Sequence, residues 1–356
     1  MKISFLGDIS LNDKYVQRYS KREKPFGVIS NELKNSDIVI GNLECMAKGE
    51  QGENHLKKPR LTTNTETLNY LNDINIGLIS LANNHIYDHL LDGYQKTVDF
   101  LENNNILYIG SGKTEKDAQK PILKELNGIT FCFLNYVTYD TNPNLPKNAE
   151  IYINFFDKNR VIEDIKQYRQ QVDQIILLLH WGGRTEHGYY PGWHQPRLAR
   201  ELVDAGADLI VGHHSHTIQP YEKYNGKYIF YSLGNFCFED IYFENEIYSK
   251  LSPRKKKSII LEVEFREKGD YTVNIIPIRN QRGYIELNNR KWGLIRLLLR
   301  NFIFQVLKRN TILWKIYYLK LNYFNPIFDY FFIQKRSFSE LATNITFNKI
   351  ANHFNK

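Results

Sequence analysis

Asp208-Leu-Ile-Val-Gly-His-His-Ser-His216 places an apolar run directly before a glycine and three imidazoles. A short run of branched apolar residues that breaks into polar ones reads as a buried strand. Here Asp208–Val211 is the strand, and Gly212-His213-His214-Ser215-His216 stands at its carboxyl end. Imidazoles one and two residues apart at a strand end can converge on an ion. Histidines also cluster on surfaces by chance, so this reading needs partners elsewhere in the chain.

Four other apolar runs end in the same way. Gln174–Leu179 leads into His180-Trp181-Gly182. Ile76–Ser80 precedes Ala82-Asn83-Asn84-His85, with Asp88 one turn beyond. Ile3–Leu6 precedes Gly7-Asp8, and Asp37–Ile40 precedes Gly41-Asn42-Leu43-Glu44. Each has a plain alternative: His180 capped by a carbonyl, or consecutive asparagines making a turn and a helix cap. The plain alternatives do not explain why five strand ends carry candidate ligands. Helical spacing at Gly93–Asn103, Arg160–Gln171 and Gln195–Ala205 lies between such runs, together with a further run at Ile129–Leu134. The alternation predicts an α/β architecture with a largely buried sheet. Open sheets of this kind bind ligands beyond the carboxyl ends of their strands, where the polar clusters fall.

The donor types narrow the chemistry. Carboxylate oxygen mixed with imidazole nitrogen suits manganese, iron or zinc better than calcium, which prefers oxygen alone. Asn84 can ligate through its amide oxygen, and His85 can donate a proton or hold a phosphate. Asp8 can bridge two ions, and two ions about 3.5–4 Å apart suit in-line displacement at phosphorus. Metal-assisted phosphoester hydrolysis is the chemistry these residues favour.

Taken in order, Gly7-Asp8, Gly41-Asn42-Leu43-Glu44, Ala82-Asn83-Asn84-His85, His180-Trp181-Gly182, Gly212–His216 and Ser232-Leu233-Gly234-Asn235-Phe236 resemble the CapA family. That family is associated with capsule and poly-γ-glutamate biosynthesis and is similar to calcineurin-like metallophosphatases. The likeness extends through Gln195, Leu198-Ala199, Leu202–Asp208 and Gln219-Pro220, and covers roughly residues 1–240. It implies a four-layer α/β/β/α sandwich. It also implies that Asp8, Asn84, His180, His214 and His216 hold one or two divalent ions, and Glu44 is the nearby carboxylate left to join them where the phosphatase pattern has an aspartate at Asn42. His85 and Asp8 would act in catalysis, with Asn42, Asn83, His213 and Asn235 in support. The substrate class would be an anionic polymer or a phosphorylated precursor. Three departures from the phosphatase pattern stand out. Ser10 replaces a histidine, Asn42 replaces an aspartate, and the terminal cluster has one residue more than Gly-His-x-His, so His213 and His214 compete for one role. Ser10 favours the rival reading, a binding subunit of a polymer synthesis or export assembly that holds a metal or an acidic chain end without turnover.

The rest of the chain is less specific. Ser258–Phe265 and Tyr271–Ile278 alternate around Lys268-Gly269-Asp270 and predict a hairpin closing a main domain over residues 1–287. Beyond it, residues 288–356 hold twelve Lys or Arg and two acids, against 35 basic and 37 acidic residues in 1–287. This extension, expected to be helical, has three readings: a packed subdomain, a membrane-surface contact or a capsule-assembly partner contact. Nucleic acid is the weakest partner for the same charge. Cys45, Cys132 and Cys237 have no CxxC spacing, which argues against a disulfide framework and for a reducing cytoplasm. The first residues read as a strand and not as a signal peptide, and no apolar run of about 18 residues offers a span. The expected location is the cytoplasm, with peripheral contact at the inner face of the membrane as an option. Glu186 and His187 read as solvated loop residues, and Lys57, Lys58 and Arg60 as an exposed charge run.

Overall fold

Alternation along the strands decides the layering. In the opening strand Lys2–Ile9, Ile3 and Phe5 join one apolar cluster while Leu6 and Ile9 join another. In Ile38–Leu43, Ile38 and Ile40 go with the first cluster, and Val39 and Leu43 with the second. Successive side chains of a strand point to opposite faces, so this sheet is covered on both sides. The computed structural model describes residues 1–243, 246–267, 270–288 and 290–324.

The first sheet runs Tyr284–Leu287, Asp270–Gln281, Lys257–Glu267, Lys2–Ile9, Ile38–Leu43, Ile76–Ser80 and Leu107–Ile109, with Asn235–Cys237 also pairing with Lys2–Ile9. The second runs Tyr221–Tyr224, Lys227–Phe230, Leu209–His213, Gln174–His180, Ile129–Val137 and Ile122–Leu126. Phe131, Phe133, Ile176, Leu178, Leu209 and Val211 face Ile3, Phe5 and Ile40 to form the core between the sheets. The alternate residues Cys132, Leu134, Ile175, Leu177 and Ile210 turn outward onto Val161, Ile165, Ala199 and Leu202 of the helices Lys158–Arg169 and Gln195–Ala205. On the far side of the first sheet, Leu6, Val39 and Ile79 meet Ile29, Tyr94, Val98 and Leu101 from the helices Gly27–Leu33 and Leu90–Asn103. The result is four layers, α/β/β/α. Complete burial of each such Leu, Ile or Phe contributes roughly 1.5–3 kcal/mol.

Local chemistry sets the helix ends. Asp157 accepts a hydrogen bond from the Arg160 amide at 3.0 Å and caps the helix Lys158–Arg169. Pro196 occupies the first turn of Gln195–Ala205, and Gly206 ends that helix at φ 124°.

The hairpin is present as Lys257–Glu267 paired with Asp270–Gln281; of the turn named above, Lys268 and Gly269 lie outside the described residues. Its first strand pairs antiparallel with Lys2–Ile9, which closes the first sheet around the opening strand. Met1–Phe304 forms one compact unit and Gln305–Lys356 a second. Within the first, residues 290–304 of the helix Arg290–Leu307 bury Leu297 with the inter-sheet core and set Phe304 edge-on to Tyr231 at 5.4 Å. The described part of the second includes the helix Thr311–Leu319, capped by Asn310. Residues 325–356, the remainder of the expected extension, lie outside the described residues. The three cysteines are buried and free. Among the described residues no helix is long and apolar enough to cross a membrane.

Candidate metal centre

Strand register brings the polar ends together. Asp8 pairs with Asn42 on one side and Asn235 on the other, and Asn42 pairs with Ser80, all within the first sheet. In the second sheet His180 pairs with His213. The two sheets therefore present these residues at the same end of the sandwich. Gly7 permits this closeness, since a Cβ there would stand 1.9 Å from the Gly234 carbonyl oxygen.

Asn42 lies at the middle of the group. Its Nδ2 is 2.9 Å from Asp8 Oδ1, 3.1 Å from Glu44 Oε1 and 3.2 Å from His180 Nδ1. One ligand atom each from Asp8, Glu44 and His180 falls within 4.8 Å of the others, and all three side chains are buried. Burial works against the Asp8 carboxylate, yet His213, His216 and the Asn42 amide hold its pKa below the usual value. Burial and then the nearby Asp8 push the Glu44 pKa well up. Two desolvated carboxylates side by side resist sharing negative charge, and a cation between them relieves that.

The late histidines divide their tasks. The His213 Nδ1 is 3.3 Å from Asp8 Oδ1, while the His214 backbone amide reaches Asp8 Oδ2 at 3.3 Å. The His214 ring stacks obliquely on His180 at 4.7 Å. His216 donates from Nδ1 to Asn235 Oδ1 at 2.9 Å, and Asn235 in turn donates to the Lys255 carbonyl at 3.1 Å. That leaves the His216 Nε2 lone pair 3.8 Å from Glu44 Oε2 and 3.9 Å from Glu186 Oε1. His214 and His216 sit at φ 86° and 56°, a left-handed region that non-glycine residues adopt at a cost.

The donors fit a divalent cation. Buried polar atoms normally find hydrogen-bond partners. Here Glu44 Oε2, His213 Nδ1 and both ring nitrogens of His214 are buried without one. Burial lowers the pKa of His180 strongly and that of His214 to about 4, so both imidazoles are in the neutral, ligating form at neutral pH.

Asn84 Oδ1 accepts from His180 Nε2 at 2.9 Å. That spacing belongs to a hydrogen bond, and equally to two ligands at about 2.0–2.2 Å from one ion. Asn83 turns away and donates to the Leu43 carbonyl at 2.7 Å, which ties its loop to the neighbouring strand end. His85 is buried with Nδ1 2.6 Å from Asp88 Oδ2. Asp88 also accepts from the Leu61 amide at 2.7 Å, so the carboxylate is fixed in place. This holds the tautomer in which His85 Nε2 carries the lone pair.

Two sequence expectations change, and one residue is added. Lys57 is buried, not part of an exposed run; its Nζ donates to the Asn142 carbonyl at 2.8 Å, and burial lowers its pKa against the pull of Asp88, Glu186 and Glu44. Glu186 and His187 are half-exposed but face the centre, with Glu186 Oε1 3.3 Å from His187 Nε2. Against partial desolvation, His187, His214 and His216 hold the Glu186 carboxyl low. Lys255, missed from the sequence, places Nζ 2.9 Å from His187 Nε2. No spacing rule announces Lys255, because it reaches the centre from a loop 68 residues further along the chain.

The model of the bacterial capsule synthesis protein family PGA_cap matches residues 2–240. The chain is 30% identical over 292 residues to the PGA biosynthesis protein CapA of Bacillus subtilis, covering 78% of this chain and 71% of that one. It is 28% identical to the capsule biosynthesis protein CapA of Bacillus anthracis, covering 80% and 68% respectively. Among solved structures, a putative 5'-nucleotidase from Staphylococcus aureus superposes with a TM-score of 0.50 at 11% identity, over 84% of this chain and 58% of that one. At that identity the likeness concerns the fold, which is the metallophosphatase fold. The chain belongs to the bacterial capsule synthesis family PGA_cap, the family of the CapA proteins.

Proposed function

We propose that the centre holds a divalent cation and serves hydrolysis of a phosphoester or related bond in an anionic precursor of a capsule or poly-γ-glutamate-type polymer. The observation that carries this reading is the buried convergence of Asp8, Glu44 and His180, with unsatisfied Glu44, His213 and His214 atoms around them. Asp8, Glu44 and His180 would hold manganese, iron or zinc, with Asn84, His214 and His216 as further ligands. A bound ion of this kind polarises a phosphoryl oxygen and lowers the pKa of water. His85, with Nδ1–H held by Asp88, would give the leaving oxygen a proton carried on Nε2 in its doubly protonated form, which the Asp88 carboxylate stabilises. Asn235 positions His216, His213 braces Asp8, and Asn42 and Asn83 keep the strand ends in register. Lys57, buried, and Lys255, beside His187, add positive charge near the centre, which suits an anionic substrate.

A second reading, an accessory subunit that binds without turnover, draws support from Ser10. Its hydroxyl is buried and donates to Asn12 Oδ1 at 2.7 Å, so it does not replace the histidine that a phosphatase of this fold carries there. Purified protein, Asp8→Ala and His85→Gln, each supplied with Mn²⁺, would be assayed on bis(p-nitrophenyl) phosphate. Hydrolysis that falls at least about 100-fold in both variants is the expected result. Metal uptake with tight binding of a glutamate oligomer, and equal background rates in all three proteins, would establish the accessory reading instead.

A further inference from the structure

The helix Arg290–Leu307 has two apolar faces. One is packed: Leu297 is buried with the inter-sheet core, Phe304 lies against Tyr231, and Arg300 donates to the Ile218 carbonyl at 2.7 Å. The other faces solvent. Trp292 is 59% exposed, Leu298 57%, Leu299 58%, Phe302 71% and Ile303 46%. At 100° per residue these five fall on one arc, opposite Leu297 and Phe304, with Lys291 just inside one margin, between Leu298 and Phe302, and Arg296 just beyond the other. Single exposed apolar side chains are ordinary, whereas a contiguous patch of this size marks an interaction surface.

Charge decides among occupants. Residues 290–324 contain eight Lys or Arg and no Asp or Glu. A second copy of the chain would bring the same basic surface against itself and repel. Nucleic acid would meet the charge but leave the apolar stripe uncovered. A bilayer with anionic lipids satisfies both, since acyl chains take the apolar side chains while headgroups take Lys291 and Arg296. Helix Thr311–Leu319, in the second unit, has the same character taken by itself, with Ile312, Ile316 and Leu319 exposed and Lys315 between them.

We propose that the outward face of Arg290–Leu307 lies on the surface of an anionic bilayer, parallel to it, with Leu298, Leu299, Phe302 and Ile303 reaching the acyl boundary. Lys291, Arg296 and Arg300 within the helix fit a surface contact, not a span. The contact would hold the catalytic body beside the membrane, and it stands whether or not the metal centre turns over.

The test is flotation of the full-length protein with phosphatidylcholine vesicles, with and without phosphatidylglycerol. The wild type should float only with the anionic vesicles, and less so as salt is raised. Leu298→Asp/Phe302→Asp should remain at the bottom with an unchanged thermal midpoint, because both side chains are exposed. Arg296→Gln should bind about five-fold more weakly. Failure of the wild type to float, or flotation of the double variant equal to wild type, overturns the proposal. A dimer in light scattering that the double variant abolishes, without vesicle binding, assigns the face to a second copy and also overturns it. Should the double variant not fold, Arg296→Gln and the salt series decide on their own.

Discussion

Asn42 offers two amide hydrogens to three acceptors, Asp8 Oδ1, Glu44 Oε1 and His180 Nδ1. Its Oδ1 accepts from Ser80 Oγ at 3.2 Å, so the amide is neutral packing between two carboxylates and not a source of charge. Asn42→Asp would place a third carboxylate there. Without cation it should destabilise the fold by roughly 3 kcal/mol, the order of an uncompensated buried charge. With Mn²⁺ the loss should shrink or reverse, and thermal melts in chelator and in excess Mn²⁺ read both effects. Asp88→Asn keeps the size of the residue that fixes His85 but not its charge. It should lower kcat on an aryl phosphodiester by about 10–100-fold and leave metal content unchanged, which separates positioning from ligation. At this scale the sequence was informative where a residue stands at the end of an apolar run, directly for His180 and one glycine beyond for Asp8 and His213. Lys57 and Lys255 were not legible, because their approach depends on how loops fold back.

Strand ends were legible as elements for a related reason. Alternating or continuous apolar runs identify strands, and Ile76–Ser80 and the helix Gln195–Ala205 coincide with the runs read from sequence. Lys2–Ile9, Ile38–Leu43 and Ile129–Val137 extend further, since polar Asp8, Asn42 and Asn135 continue the ladder into the site instead of ending it. Helix Arg290–Leu307 shows why no clean polar face could be read: it is apolar toward the core and apolar toward solvent. The contact between Gly7 and the Gly234 carbonyl belongs to this scale as well, because it joins Lys2–Ile9 to the strand that carries Asn235. Asp8 donates its amide to that same carbonyl at 2.9 Å. Gly7→Ala should therefore cost about 3 kcal/mol or more in urea unfolding, as an overpacked junction. Stability equal to wild type would mean that this junction yields easily.

Across the molecule, the two sheets are not consecutive in the chain. The first is built from residues 2–109 and completed by 235–287, and the second uses 122–230. Apolar alternation cannot say which strand joins which sheet, so the four layers followed from family resemblance while the strands followed from pattern. The site survived that uncertainty because both sheets deliver their polar ends to the same edge. Charge is divided just as unevenly, with the basic excess confined to the chain beyond residue 288. A pocket with this many buried, unsatisfied donors should also couple metal to the stability of the whole fold. Cation at 100 times its Kd adds about 2.7 kcal/mol. Elemental analysis of the wild type beside Asp8→Ala, Glu44→Gln and His180→Ala, each confirmed folded by circular dichroism, would therefore bear on the whole arrangement at once. Near-stoichiometric manganese, iron or zinc in the wild type, lost in all three variants, is the expected result. A folded wild type that takes up none of these metals, even after incubation with each, would contradict it.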